Sequence, residues 1–153
     1  MKIKIKLLVL FSIITVALSS CVSTKSTLQN VNNNAPIPQL TATNTFVLTE
    51  FSKDAKYGYH PDFPINVFYR NTKNLTINQD RFLNALSGPN GEKVFYKKLD
   101  ICCPFPTKNC EMGGGFLDLY EVTWVGLKQP KKLYLNCYEK GDLMVPVGFG
   151  LAK

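Results

Sequence analysis

The chain reads as an α+β domain: a mainly antiparallel sheet with one short helix packed on a face. Three observations predict it. Leu133, Leu135 and Cys137 alternate with Tyr134, Asn136 and Tyr138, the period of a half-buried strand. Residues 116–125 form a second β-rich run, long enough for a central strand, with Phe116, Tyr120, Val122 and Trp124 on one face. Helical spacing is confined to the stretch around residues 78–86. Runs of strand signal with a single helix favour α+β over alternating βα units.

Taken in order, residues 45–51 are a β-rich run with apolar side chains on both faces. Residues 65–69 make a shorter run fenced by Pro64. The helix follows: Asn78 is the expected cap, Asp80 lies in the first turn, and Phe82, Leu83 and Leu86 form the apolar stripe. Ile77 and Phe82 occupy the positions of a hydrophobic staple, and Gly88-Pro89 supplies a stop. Gly88-Pro89-Asn90-Gly91 is a turn, from which residues 93–96 leave as a strand. Residues 126–131 turn the chain around Pro130, so that the last two strands form a hairpin.

The N-terminus has a different texture. Lys2, Lys4 and Lys6 precede twelve mostly apolar residues, 7–18, and Leu18-Ser19-Ser20-Cys21 closes the stretch. A spanning helix needs roughly 20 apolar residues, so a cleaved leader fits better than a permanent anchor. Leu-Ser-Ser-Cys resembles the lipobox of bacterial lipoproteins, in which the Cys thiol takes a diacylglyceryl group and becomes the first mature residue. Two or more acyl chains hold a protein stably on a bilayer. The expected organisation is a signal peptide over residues 1–20, a lipidated Cys21 with a flexible tether to residue 44, and one globular domain over 45–153. Residues 22–44 contain no aromatic side chain and are rich in Ser, Thr, Asn and Gln, which predicts a tether. Val22-Ser23-Thr24 brings no acidic cluster after the Cys. By resemblance to lipoprotein sorting rules, that points to the outer membrane, periplasmic face.

The chain carries +7, of which Lys2, Lys4 and Lys6 account for three, so the part after the leader carries +4. A mild excess of this kind reads as a solvated face or as a lean towards anionic headgroups. The expected partner is membrane lipid through acylated Cys21, with a cell-wall glycan or an envelope protein as a further possibility, and no nucleic acid.

Cys102, Cys103, Cys110 and Cys137 remain after Cys21. In an exported protein an even number favours disulfides. Adjacent cysteines close a strained ring, so pairing of Cys102 and Cys103 with Cys110 and Cys137 is the easier expectation, with a free buried thiol at Cys137 as the alternative. The spacing C-C-x6-C-x26-C matches no zinc pattern; no metal and no cofactor is expected. His60, the single histidine, sits in the aromatic loop Tyr57-Gly58-Tyr59-His60-Pro61. It is a candidate base for Cys102 or Cys103, and more simply a polar loop residue. Tyr57, Tyr59 and His60 are the tentative ligand-facing group, able to stack on a sugar ring or to pack the loop. Asp118 and Glu121 are an odd number of residues apart, hence on opposite strand faces. Gly113-Gly114-Gly115 leads into a strand rather than a helix, which reads as a turn and not as a phosphate cradle.

Several segments in order resemble a family of small bacterial lipoproteins common in Bacteroidetes: Phe51-Ser52-Lys53-Asp54, Tyr57-Gly58-Tyr59, Asn84-Ala85-Leu86-Ser87-Gly88-Pro89-Asn90-Gly91, Cys102-Cys103-Pro104-Phe105-Pro106, Gly115-Phe116-Leu117-Asp118-Leu119-Tyr120, Leu133-Tyr134-Leu135-Asn136 and Pro146-Val147-Gly148-Phe149. The resemblance implies a lipid-anchored protein whose shared feature is the Cys-Cys pair, with Cys110 and Cys137 as additions. Members are often labelled 2-dehydro-3-deoxyphosphooctonate aldolase. That enzyme is a (β/α)₈ barrel of at least about 200 residues, whereas 109 remain here, with only Arg70 and Arg81 for an anionic substrate. The sequence therefore predicts a non-enzymatic binding or structural module. The alternative is a small envelope enzyme or thiol-redox protein using Cys102 and Cys103.

Overall fold

The computed structural model describes residues 26–67, 74 and 76–152. The leader, Cys21 and residues 68–69 of the second expected strand lie outside the described residues. The fold is a small α+β body. A four-stranded sheet has the order β1-β5-β4-β3, with β1 at Ile65–Asn66, β3 at Val94–Pro106, β4 at Gly114–Trp124 and β5 at Lys131–Asn136. A two-stranded ribbon pairs β2 (Leu86–Ser87) with β6 (Gly150–Leu151). The helix, α1, runs Ile77–Leu83.

β3–β4 and β4–β5 are antiparallel, the second being the hairpin expected of the last two strands. The parallel pairing of β1 with β5 (Ile65 opposite Leu135) carries no local signal. Asp118, Tyr120, Val122 and Trp124 of β4 alternate inward and are buried, beside Leu133 and Leu135 of β5. The inward face packs with Phe46, Leu48, Tyr57, Phe82, Leu83 and Val145 into one core, and Trp124 meets Phe149 edge-on at 5.3 Å. Phe116 shares the face of Asp118 and Tyr120, as alternation predicts, but it is exposed, while Gly115 and Leu117 on the opposite face are buried. The reason is local. At that end the outward face is also covered, and a Cβ on Gly115 would come within 2.8 Å of the Tyr138 ring and 3.1 Å of Phe105.

β3 runs on from the expected 93–96 through Cys102-Cys103 to Pro106. Register shifts lie between Lys98 and Asp100 and between Cys102 and Phe105. Prolines 104 and 106 are tolerated because β3 is an edge strand, where a missing N–H breaks no ladder. Residues 45–51 do not join the sheet. Phe46 and Leu48 turn inward while Val47 and Thr49 stay out, but their backbone makes only isolated bridges, Leu40 with Phe46 and Phe51 with Val145.

Two expectations about the helix are corrected. Thr76 takes the N-cap position without a side-chain cap bond, and Asn74 Oδ1 accepts from the Thr76 N–H and hydroxyl instead. Asn78 lies inside the helix, buried, where it accepts from Arg81. Ile77 is therefore the first helical residue, and Ile77 and Phe82 do not occupy the staple positions. Leu86 belongs to β2 rather than to the helix stripe.

The segment expected as a loose tether is, from residue 29 onward, laid on the body. The Gln29 N–H donates to Asp62 O (2.9 Å) and the Asn32 N–H to Lys140 O (2.8 Å). Asn66 Nδ2 donates to Asn30 O, and Asn32 Nδ2 to both Asp142 oxygens. Ala35 is buried. Thr41–Thr45 closes a small turn, with Asn44 at φ 62°, that returns the chain to Phe46. Composition misled here because polar residues make this segment stick through hydrogen bonds rather than apolar area. No helix among the described residues is long and apolar enough to cross a membrane.

Leu135 is fully buried between β1 and β4. Leu135→Ala is expected to lower stability by about 2–5 kcal/mol, as core truncations do. Val125→Ser, at an exposed turn, is expected to shift it by less than about 0.5 kcal/mol. Urea midpoints at unchanged slope check both.

Candidate functional site

The three candidate residues of the aromatic loop differ in exposure. Tyr57 is fully buried, its hydroxyl donating to Asp142 O and accepting from the Met144 N–H, which corrects its ligand-facing assignment. Tyr59 is half-buried and donates to Val147 O (2.7 Å) with Lys131 Nζ over its ring at 5.3 Å; burial pushes its hydroxyl up to about 12. His60 is exposed and turned towards its own loop: Nδ1 accepts from the Asp62 N–H and lies 3.7 Å from the Asp62 carboxylate. The three residues hold the loop together, the packing alternative.

The cysteines also part company. Cys102 pairs with Leu117 across the β3–β4 ladder, on the outward face. Cys137 follows Leu135 on the inward side, within the field of Asp118 and Lys98. The sheet stands between them, so the expected cross-pairing is not formed. The sulfurs of Cys102 and Cys103 instead meet each other, the arrangement of a vicinal disulfide, while Cys110 and Cys137 are free thiols. Cys103 adopts φ 58° at the second register shift, which is the backbone distortion that brings neighbouring side chains of a strand to one side.

The main titratable constellation lies between α1 and the sheet. Asp118, on the inward face of the central strand, receives Lys98 Nζ on one oxygen (2.7 Å) and Gln79 Nε2 on the other (2.7 Å). Gln79 Oε1 accepts from the Tyr120 hydroxyl at 2.8 Å. One turn along, the Tyr96 hydroxyl lies 3.2 Å from Asp80 Oδ1 and 3.1 Å from Asn84 Oδ1. Burial first, and then the Asp80 charge, raise Tyr96 to about 12. Tyr120 is raised by burial and by Asp118. Cys137 is pushed up to about 11, by burial and then by the Asp118 carboxylate. A thiol so raised is protonated at neutral pH and is a poor nucleophile. The network clamps the helix to the sheet. Gln79, Lys98 and Tyr120 were missed in the sequence because their partners lie 20–41 residues away.

A second buried carboxylate, Glu139, accepts from the Thr107 hydroxyl and from Asn109 Nδ2, which also donates to Tyr138 O. These bonds fix the β3–β4 loop to the segment after β5. Glu121, by contrast, faces outward in an ion pair with Lys97 at 2.8 Å. Among the described residues no group of three or more His, Cys, Asp and Glu side chains is placed to hold a metal ion. No family model, curated protein or solved structure matches this chain.

Two outcomes follow. Lys98→Met leaves a buried carboxylate without its cation. Breaking a fully buried pair removes roughly 3–5 kcal/mol. With Lys98 about one-third exposed, about 1–3 kcal/mol is expected after solvent screening, most of it recovered in the double variant Lys98→Met/Asp118→Leu. Urea unfolding of the three proteins tests it. For Cys137, the raised thiol contributes stability that is present below its unfolded value near 9 and lost as pH rises through about 11. The urea midpoint should therefore fall more steeply between pH 9 and 11 in the parent than in Cys137→Ala, and iodoacetamide at pH 8 should label half-exposed Cys110 well before Cys137.

Proposed function

We propose that this chain is an envelope lipoprotein, fastened to the outer membrane on its periplasmic face through acylated Cys21 and working there as a non-enzymatic binding or structural module. The observation that carries the reading is the leader: three lysines, twelve mostly apolar residues and Leu18-Ser19-Ser20-Cys21 in one uninterrupted order. The packing of the following segment supports it. Gln29, eight residues beyond Cys21, is hydrogen-bonded to the body, so the leash reaches at most roughly 28 Å and holds the domain close to the bilayer. Among the described residues the buried ionisable groups are committed to structural bonds: Asp118 to α1 and Lys98, Glu139 to the β3–β4 loop. That favours a body built to hold a shape rather than to turn over a substrate.

A second reading has its own observation. The touching sulfurs of Cys102 and Cys103 sit half-exposed on an edge strand, where an envelope thiol-disulfide protein would present them. On this reading a fast-reacting thiol pair appears after mild reduction and exchanges with a dithiol. An inert pair removes it.

Mass spectrometry of the native protein separates the possibilities. The lipoprotein reading requires a polypeptide beginning at Cys21 with acyl mass on that residue, and loss of membrane fractionation in Cys21→Ser. An unprocessed chain, or membrane association unchanged in Cys21→Ser, overturns it.

A further inference from the structure

We propose that the bond between Cys102 and Cys103 is a redox latch on the register of the β3–β4 hairpin. Closed, it holds Phe105 against Tyr138; opened by a dithiol, it lets the end of β3 slip by one residue and carries Phe105 across the sheet to Phe116. The inference deepens the thiol-disulfide reading above, from which it takes the bond itself, and names what that bond controls.

Neighbouring side chains of a regular strand point to opposite faces. The sulfurs of Cys102 and Cys103 meet because the strand is irregular there. Cys103 stands at φ 58°, and Cys102 opposite Leu117 is followed by Phe105 opposite Gly115. Cys103 and Pro104 thus oppose the single residue Phe116, the arrangement of a β-bulge. A β-carbon makes the left-handed region costly, and no glycine stands here to ease it. The bond needs both sulfurs on one side, so bond and bulge support each other.

The bulge decides where the chain beyond it points. With it, Phe105 shares the face of Gly115 and Leu117, buried and edge-on to Tyr138 at 6.1 Å. Thr107 then donates its hydroxyl to Glu139 and its N–H to Gly113 O. Without the bulge the ladder runs on regularly, with Cys103 opposite Phe116, Pro104 opposite Gly115 and Phe105 opposite Gly114. A slip of one residue moves every later side chain to the other face. Phe105 then lies on the face of Asp118, diagonal to Phe116 and within reach of an aromatic contact. That place is open, since Phe116 is 47% exposed. Pro104 is admitted in both registers because β3 is an edge strand. The bulged register keeps Tyr138 and Glu139 partnered; the regular one relieves Cys103 and partners Phe116. The bond selects the first.

The pair is half-exposed on that edge and open to attack. A thiolate of the dithiol attacks one sulfur, breaking the Cys102–Cys103 bond and forming a mixed disulfide. The second thiol resolves it. Two electrons and two protons pass to Cys102 and Cys103, and the dithiol leaves as its own disulfide. Cys110 and Cys137 are already thiols, so among the described residues this is the one bond a dithiol opens.

The test reads ring-to-ring NOEs in the mature protein in detergent micelles, before and after dithiothreitol. Trp124–Phe149, at 5.3 Å, is the control contact at the other end of β4. Phe105–Tyr138 is expected in the oxidised protein and Phe105–Phe116 in the reduced one, with at least tenfold faster amide exchange at Thr107 and recovery on reoxidation. Cys103→Gly, which accepts φ 58° without a bond, is expected to keep Phe105–Tyr138 with or without dithiothreitol. Cys103→Ser, which cannot form the bond, is expected to show Phe105–Phe116 in both. Reduced parent or Cys103→Ser that keeps Phe105–Tyr138 overturns the latch and leaves the thiol-disulfide reading standing. Native protein whose mass map shows Cys102 and Cys103 unbonded overturns both. Loss of Trp124–Phe149 on reduction is general unfolding and overturns the local slip.

Discussion

A carboxylate on the inward face of the central strand sets the terms for this fold. Asp118 is buried under a helix and has partners from two elements: Lys98 on β3, and Gln79 of α1, which in turn holds Tyr120 of β4. A seven-residue helix has too little propensity to stand alone. Its apolar contacts, Phe82 and Leu83, fix its depth on the sheet. The bonds from Gln79 fix its position along the strand. Apolar packing alone tolerates sliding, whereas a buried polar group has one acceptable place.

Legibility in the sequence followed the range of the interaction. The β4–β5 hairpin was readable because its period, its turn and its partner lie within one window. The edge strand β3 was read short: Pro104 and Pro106 look like breakers unless one knows that the strand lies at an edge. Phe116 keeps the face that alternation assigns to it but lies exposed, and it is the opposite face, at Gly115 and Leu117, that is covered there. The Asp118 network and the β1–β5 pairing were invisible, since their partners are separated by 20 to 70 residues. For the cysteines, the rule that neighbours do not bond presumes an undistorted strand. A register shift with Cys103 at positive φ removes that premise. Tyr57 had the composition of a binding platform but is spent on backbone groups of the segment 142–144.

The N-terminal segment changes how the domain boundary is drawn. Its apolar content is low, yet Asn30 and Asn32 join it to Asn66, Pro64, Lys140 and Asp142. Low hydrophobicity removes the drive to form an independent core, but it does not prevent a strap from docking on a core that others have built. The docked part of the chain thus reaches back to residue 29 rather than beginning at 45.

The strap also has a bearing on how the polypeptide reaches its final shape. Its docking sites are supplied by residues 62–66 and by residues 140–142, and Val145 and Leu151 close the core and the ribbon from the far end of the sequence. The strap therefore completes its docking only when residues 140–142 are in place, and such long-range closure is slow.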